Sequence, residues 1–319
     1  MRWWTKWGGL ESAQGFSPAF ARSSGAKAPR RMNPAPLCLL VLVAIAARAA
    51  GPVDFGTAEL NAAVAERKIK LHVDTELSLN PPETFSITLY KTGMVRITGG
   101  DLRGLMYGLI EASEQIRANG KLKAASGKPA TAVRGVRMTL RSYDLTQPWF
   151  TSDDHWRTYF QTLARARLNR LSLMITLADA DIERLRMLSE IAADYGVDFV
   201  LGIRHLEGDP GHIYARLRGI LDACPLIRGV QIEAGDESVQ VYQEGVFRAL
   251  RESGRRVTLD LRNVADRPDL VRAASVSGTP LSALGFEMDA PGPDFMGDHR
   301  QVYWNNGRTS YDAAYEVPR

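Results

Sequence analysis

The sequence predicts an α/β protein: a (β/α) TIM-type barrel, incomplete at its C-terminus, preceded by a small α+β domain. Three observations lead there. From about residue 132 onward, short apolar strand patterns alternate with amphipathic helical patterns about 30 residues apart, which leaves room for the crossover helix that a parallel strand needs. Six or seven such units suit a barrel better than a doubly wound sheet, and no G-x-G-x-x-G follows the first strand to mark a dinucleotide fold. The composition, 45% hydrophobic and 24% charged over 319 residues, is that of a globular chain.

Taken in order, residues 1–49 read as an upstream extension followed by a secretory signal peptide. Arg30-Arg31-Met32 precedes the apolar run Leu37–Ala47 and the small-residue stretch Ala47-Arg48-Ala49-Ala50, the basic, apolar and A-x-A-like parts of an export signal. Met32 is the expected start, and the mature chain is expected to be secreted or periplasmic. The run falls short of the roughly 20 residues a membrane span requires, so no stable membrane insertion of the mature chain is expected. A buried or interfacial helix is the alternative.

Residues 50–122 form the α+β domain: a helix over Ala58–Arg67, strands at Lys68–Val73, Phe85–Leu89 and Met94–Thr98, and a helix from Leu102 to about Ala118. Asp101 is placed to N-cap that last helix and Asn119-Gly120 to stop it. Residues 123–131 read as a linker, and 132–319 as the barrel. Its strands are expected at Gly135–Leu140, Arg170–Thr176, Asp198–Ile203, Gly229–Ile232, Arg256–Leu261, Ala283–Glu287 and Gln301–Tyr303. About 190 residues follow the linker, whereas a full barrel takes eight strands and about 250.

Charge and cysteine content narrow the function. The net charge is +4, but Arg2, Lys6, Arg22, Lys27, Arg30, Arg31 and Arg48 stand against Glu11 alone before residue 50. The remaining chain is therefore weakly acidic and carries no nucleic-acid signal. Cys38 and Cys224 cannot build a disulfide framework, and no H-x-x-x-H or clustered His/Cys spacing points to a metal. No cofactor is expected.

Barrel chemistry sits at the C-terminal ends of the strands. Strand one delivers Arg141 and Asp144 there, strand three Arg204 and His205, and strand four Glu233, Asp236 and Glu237. Strand five delivers Asp260 and Arg262, strand six Glu287 and Asp289, and strand seven Tyr303, Trp304 and Asn305. Carboxylates for acid and base work, arginines for hydroxyls or a carboxylate, and aromatics for pyranose faces make a carbohydrate site. Singly, each has another reading: strand-end acids often cap the next helix, and a lone histidine such as His205 is often structural.

Two stretches carry a resemblance. Arg134-Gly135-Val136-Arg137-Met138 with Leu168-Asn169-Arg170-Leu171, and Ala234-Gly235-Asp236-Glu237-Ser238 after strand four, are similar to glycoside hydrolase family 20 β-N-acetylhexosaminidases. Ile97–Gly108 resembles the α/β domain preceding the barrel in those enzymes and in α-glucuronidases. The resemblance implies a hydrolase in which Glu237 is the general acid and Asp236 orients a 2-acetamido group. Glu237 then needs a raised pKa, which repulsion from Asp236 would supply. Ser172-Leu173-Met174-Ile175-Thr176 stands where that family has a histidine-rich run. Ser142-Tyr143-Asp144 and Gln147-Pro148-Trp149-Phe150 look more like α-glucuronidase barrels. That alternative implies Glu233 or Glu237 as acid, Glu287 as base, and Arg141 or Arg204 as a carboxylate clamp. A non-catalytic carbohydrate-binding barrel is the third reading.

Overall fold

The computed structural model describes residues 51–90, 93–264, 266–284 and 300–304, with 282–284 and 300–304 described as backbone only. The expected leader, Glu287, Asp289 and Asn305 lie outside these residues.

The chain opens with helix α1 (Pro52–Arg67), then β1 (His72–Leu77), β2 (Phe85–Leu89), β3 (Met94–Gly99) and helix α2 (Leu102–Asn119). Asp101 N-caps α2 by accepting the Gly104 amide at 2.7 Å, and Gly120 ends it at φ 66°, the left-handed conformation that suits glycine. The first strand begins four residues later than expected. Lys68 caps α1 at φ 51° and the chain reaches strand pairing only at His72, opposite Met94 of β3. The stretch read as linker contains β4 (Ala125–Gly127), which pairs with β2. The mixed sheet runs β1-β3-β2-β4, and its apolar side packs Ile87, Val95 and Ile97 against Leu60, Leu105, Leu109 and Ile116 of the two helices.

The second sheet holds β5 (Arg134–Thr139), β6 (Arg170–Ile175), β7 (Asp198–Ile203), β8 (Ile227–Glu233), β9 (Thr258–Arg262), β10 (Leu281–Leu284) and β11 (Arg300–Trp304). Between them lie α3 (Pro148–Thr151), α4 (Asp153–Arg165), α5 (Ile182–Asp194), α6 (Pro210–Ala223), α7 (Val239–Val241), α8 (Arg248–Glu252) and α9 (Pro268–Val276). A π-helical segment, Tyr242–Phe247, joins α7 to α8. Strands β5 to β10 are parallel and in sequence order. The last strand is not a seventh parallel one: β11 pairs antiparallel with β5, from Arg300 opposite Met138 to Trp304 opposite Arg134. It enters at the end of the sheet where β10 leaves, and so runs back down.

The two faces of this sheet differ. Leu171, Leu173, Ile175, Phe199, Leu201, Ile203, Val230, Ile232, Leu259 and Leu261 pack against the helices. The alternate positions carry Arg137, Arg170, Ser172, Gln231, Asp260 and Arg262, all buried and polar. Only the first set belongs to a hydrophobic core, so the polar set lines the other face.

That face is concave. Arg137 lies level with Gly229 of β8 through the pairings to Ser172 and Val200, so Glu233 is three strands across and four residues further along. In a flat sheet this separation is roughly 14 Å across and 13 Å along, beyond what two side chains bridge. Yet Arg137 Nη1 donates to Glu233 Oε1 at 3.0 Å. Arg170 of β6 likewise comes within 3.8 Å of Asp260 on β9. The sheet curls, as in a partial TIM-like barrel.

The front domain closes the N-terminal end of this curl. Glu83, buried and at φ 61°, accepts Arg103 at 2.7 Å and Asn169 at 2.8 Å, and also pairs with Arg134. Arg103 reaches Asp198 at 2.8 Å. Arg134, Asn169 and Asp198 begin or immediately precede β5, β6 and β7, so among the described residues the front domain packs at the N-terminal ends of these strands and away from their C-terminal ends.

Candidate active site at the C-terminal mouth

Strand pairing puts Glu233 opposite Arg262, with Arg204 and Thr176 just beyond the paired ends of β7 and β6. This is the rim of the mouth. Glu233, the last residue of β8, is about a quarter exposed and ion-paired with Arg137 from inside the curl. Arg141 is exposed, and its amide donates to Asp144 Oδ2 at 2.8 Å, which tightens the turn after β5. The Ser142 and Thr176 hydroxyls both donate to Asp179 Oδ2, at 3.0 and 2.7 Å, tying the loops after β5 and β6. Arg204 is half-buried and His205 exposed at the end of β7.

The signature-like stretch follows β8 directly. The strand ends at Glu233, so Asp236 and Glu237 are free of strand alternation and both belong to the mouth loop. Asp236 is exposed and Glu237 half-buried. Glu237 Oε2 accepts the Tyr242 hydroxyl at 2.6 Å and the Gly235 amide at 3.1 Å, and Oε1 accepts the Leu206 amide at 3.4 Å. Burial acts to raise the Glu237 carboxyl, but the Tyr242 and backbone donors together hold it below its ordinary value. The expected upward shift is thus reversed. Asp236 faces solvent, where repulsion between neighbours is weak, while three donors address the ionised form of Glu237.

Asp260 departs from its expected place. It is the third residue of β9, only 1% exposed, and lies inside the curl. The strand runs one residue beyond the expected end, which leaves Arg262 at the rim in its stead. Gln231 Nε2 donates to Asp260 at 3.0 Å, and Arg262 stands 3.4 Å away. Burial pushes the carboxyl up against the pull of Arg262 and Arg170. Tyr303 and Trp304 also move. Because β11 is antiparallel, they sit opposite Gly135 and Arg134, at the closed end of β5.

Arg137, Tyr242 and Arg267 escape a search confined to strand ends. Arg267 donates to the carbonyls of Gly235 and of Glu237, the latter at 2.8 Å. A signal for Arg137 exists in the polar alternation of the strands; none exists for Tyr242, which reads as an ordinary helical residue. Among the described residues no group of three His, Cys, Asp or Glu could hold a metal ion, and no helix is long and apolar enough to cross a membrane.

No protein-family model matches the sequence, and no curated protein matches it. Solved structures do. A GH138 enzyme targeting pectin rhamnogalacturonan II superposes with a TM-score of 0.62 at 17% identity, covering 73% of this chain and 46% of that one. A GH20 exo-β-N-acetylglucosaminidase from Vibrio harveyi gives 0.52 at 11%, covering 74% and 53%. A GH20 β-N-acetylhexosaminidase from Streptomyces coelicolor gives 0.50 at 13%, covering 82% and 76%. The chain has a glycoside hydrolase-like fold. It spans about half the length of the first two neighbours, and because these structures represent two families they define the fold without selecting family 20.

Proposed function

We propose that the protein is a glycoside hydrolase acting on an oligo- or polysaccharide at the C-terminal mouth of the curled sheet. The observation that carries this reading is Glu233, a partly exposed carboxylate at the rim, anchored by Arg137 at 3.0 Å. Glycosidic cleavage commonly uses a pair of carboxylates flanking the bond. Glu233 is one member, and Glu287, from the segment after β10, is the opposing one. Arg141 and Arg204 hold substrate hydroxyls or a sugar carboxylate. His205, Asp144 and Asp236 complete the polar rim. The basic and apolar leader supports export, where a polysaccharide substrate would be met.

A second reading is the β-N-acetylhexosaminidase one, favoured by the end of β8 at Glu233, which leaves Asp236 and Glu237 together in the mouth. Asp236 would hold the acetamido group, whose oxygen attacks the anomeric carbon as Glu237 protonates the leaving group. The test is a screen of the full chain against aryl β-N-acetylhexosaminides and α-glucuronosyl oligosaccharides. Turnover abolished by Glu233→Gln supports the carboxylate-pair reading, while turnover of acetamido sugars that survives Glu233→Gln and is lost in Asp236→Asn supports the second. No turnover of any glycoside by a folded chain refutes both.

A further inference from the structure

The Glu237 carboxylate joins two successive mouth loops, and its backbone is tied to a third. Leu206, from the loop after β7, donates to one oxygen; Gly235, from the loop after β8, and the fully buried Tyr242 donate to the other. Arg267, from the loop after β9, closes the ring by donating to the carbonyls of Gly235 and Glu237. Tyr242 opens the π-helical segment, a rare geometry that is frequent at functional sites. Gly235 leaves the space this requires, because a Cβ there would stand 2.8 Å from Glu237 Oε2.

We propose that Glu237 is a positioning residue: a clasp that fixes the loops carrying Arg204, His205 and Asp236 around Glu233, and not the proton donor. A general acid must present a protonated oxygen to the leaving group. Here Oε2 accepts from both Tyr242 and Gly235, and Oε1 accepts the Leu206 amide at 3.4 Å, so the donors around Glu237 come from the protein itself and address its ionised form. The same donors hold its carboxyl below the ordinary value, opposite to an acid's requirement. The inference rests on the mouth being the glycosidase site, and it contradicts the acetamido reading of Glu237.

The discriminating pair is Glu237→Gln and Glu237→Leu in the full chain. Glutamine keeps an oxygen that accepts the Gly235 or Tyr242 hydrogen bond; leucine keeps none. Each variant is assayed on aryl glycosides with a poor (nitrophenyl) and a good (dinitrophenyl) leaving group, alongside amide exchange of peptides covering 204–207 and 234–238. A clasp predicts that Glu237→Gln retains at least roughly a tenth of wild-type kcat/KM, that Glu237→Leu loses roughly a hundredfold, and that both losses are independent of leaving group. Exchange in both loops rises in Glu237→Leu, and Tyr242→Phe shows a smaller rise of the same kind. An acid predicts that Gln and Leu are equally impaired, by roughly 10²–10⁴ on the poor leaving group only, with loop exchange unchanged. That result overturns the proposal. If wild type hydrolyses no glycoside, the glycosidase reading falls, and exchange alone decides the clasp: protection lost in Glu237→Leu and Tyr242→Phe upholds it, protection unchanged refutes it. Should Glu237→Leu fail to fold, Tyr242→Phe carries the same comparison, since its hydroxyl has no acid role in either account.

Discussion

Replacing Glu83 by Gln tests whether the front domain is fastened to the closed end of the curl by charge. Glu83 is buried and accepts from Arg103, Asn169 and Arg134 at once. Removing one partner of a buried ion pair costs about 3–5 kcal/mol, because the surviving charge is stranded. Neither arginine is wholly stranded here. Arg103 keeps Asp198 at 2.8 Å, and Arg134 keeps the carbonyls of Thr131 and Arg167 at 2.7 and 2.9 Å. The expected loss is therefore nearer to about 2–3 kcal/mol, read from urea unfolding followed by circular dichroism. The backbone supplies an internal control. At φ 61° a side chain costs about 1 kcal/mol relative to glycine, so Glu83→Gly should be about 1 kcal/mol less damaging than Glu83→Ala. The sign with pH is also fixed. The two arginines outweigh burial and hold the Glu83 carboxyl below its ordinary value of 4.5, so its contribution is fully present above that pH and is lost as pH falls through the lowered value. Glu83→Gln should flatten this acid limb. A Glu83→Gln protein within about 0.5 kcal/mol of wild type, with the acid limb unchanged, would refute the fastening argument.

Other perturbations follow from the same contacts. Gly104→Ala places a Cβ 2.3 Å from the Thr84 carbonyl oxygen; the backbone must give way, and a loss of about 1–3 kcal/mol in chemical denaturation is expected. Gly202→Ala would put a Cβ 2.1 Å from Met174 Sδ and 2.9 Å from Met174 Cα on the concave face; the methionine tip can move but the β6 backbone must also shift, and a similar loss of about 1–3 kcal/mol is expected. Cys224 is buried and its thiol is pushed up to about 11, so alkylation at pH 8, located by peptide mass spectrometry, should label it only after unfolding. Arg137→Met should lower kcat on any glycoside that the protein hydrolyses more than it raises KM, since it frees Glu233 to wander without removing a rim contact.

Strand and helix identities were legible wherever burial imposes a clear period. The helix at Leu102–Asn119 has its apolar stripe, its Asp101 cap and its Gly120 stop in the sequence and in the structure. Thr258-Leu259-Asp260-Leu261-Arg262 and Gly229-Val230-Gln231-Ile232-Glu233 show the alternation that betrays one polar face in a sheet whose parallel strands usually read as continuous apolar runs. Reading that alternation would have turned Asp260 inward and drawn attention to Arg137. What the sequence could not convey is direction and distance. Nothing in Arg300–Trp304 distinguishes a parallel from an antiparallel partner, and that choice moves Tyr303 and Trp304 from one end of the sheet to the other. The role of Glu237 likewise depends on amides from two loops and a phenol from the π-helical segment, a convergence with no linear signature.

The concave face also bears on how the molecule responds to heat. Of the fifteen alternate positions on β5 to β9 that a barrel would ordinarily fill with branched apolar side chains, the charged and polar ones predominate, with Met174 and Val200 the apolar exceptions. Exposing polar surface lowers the heat capacity of unfolding, whereas exposing apolar surface raises it. Calorimetry should therefore give a heat-capacity increment below the usual ~12–15 cal/mol/K per residue. A stability curve built on such an increment is broad and shallow. The cost of desolvating paired charges also falls on warming, so the inner wall of arginines and carboxylates loses less on heating than an aliphatic lining would.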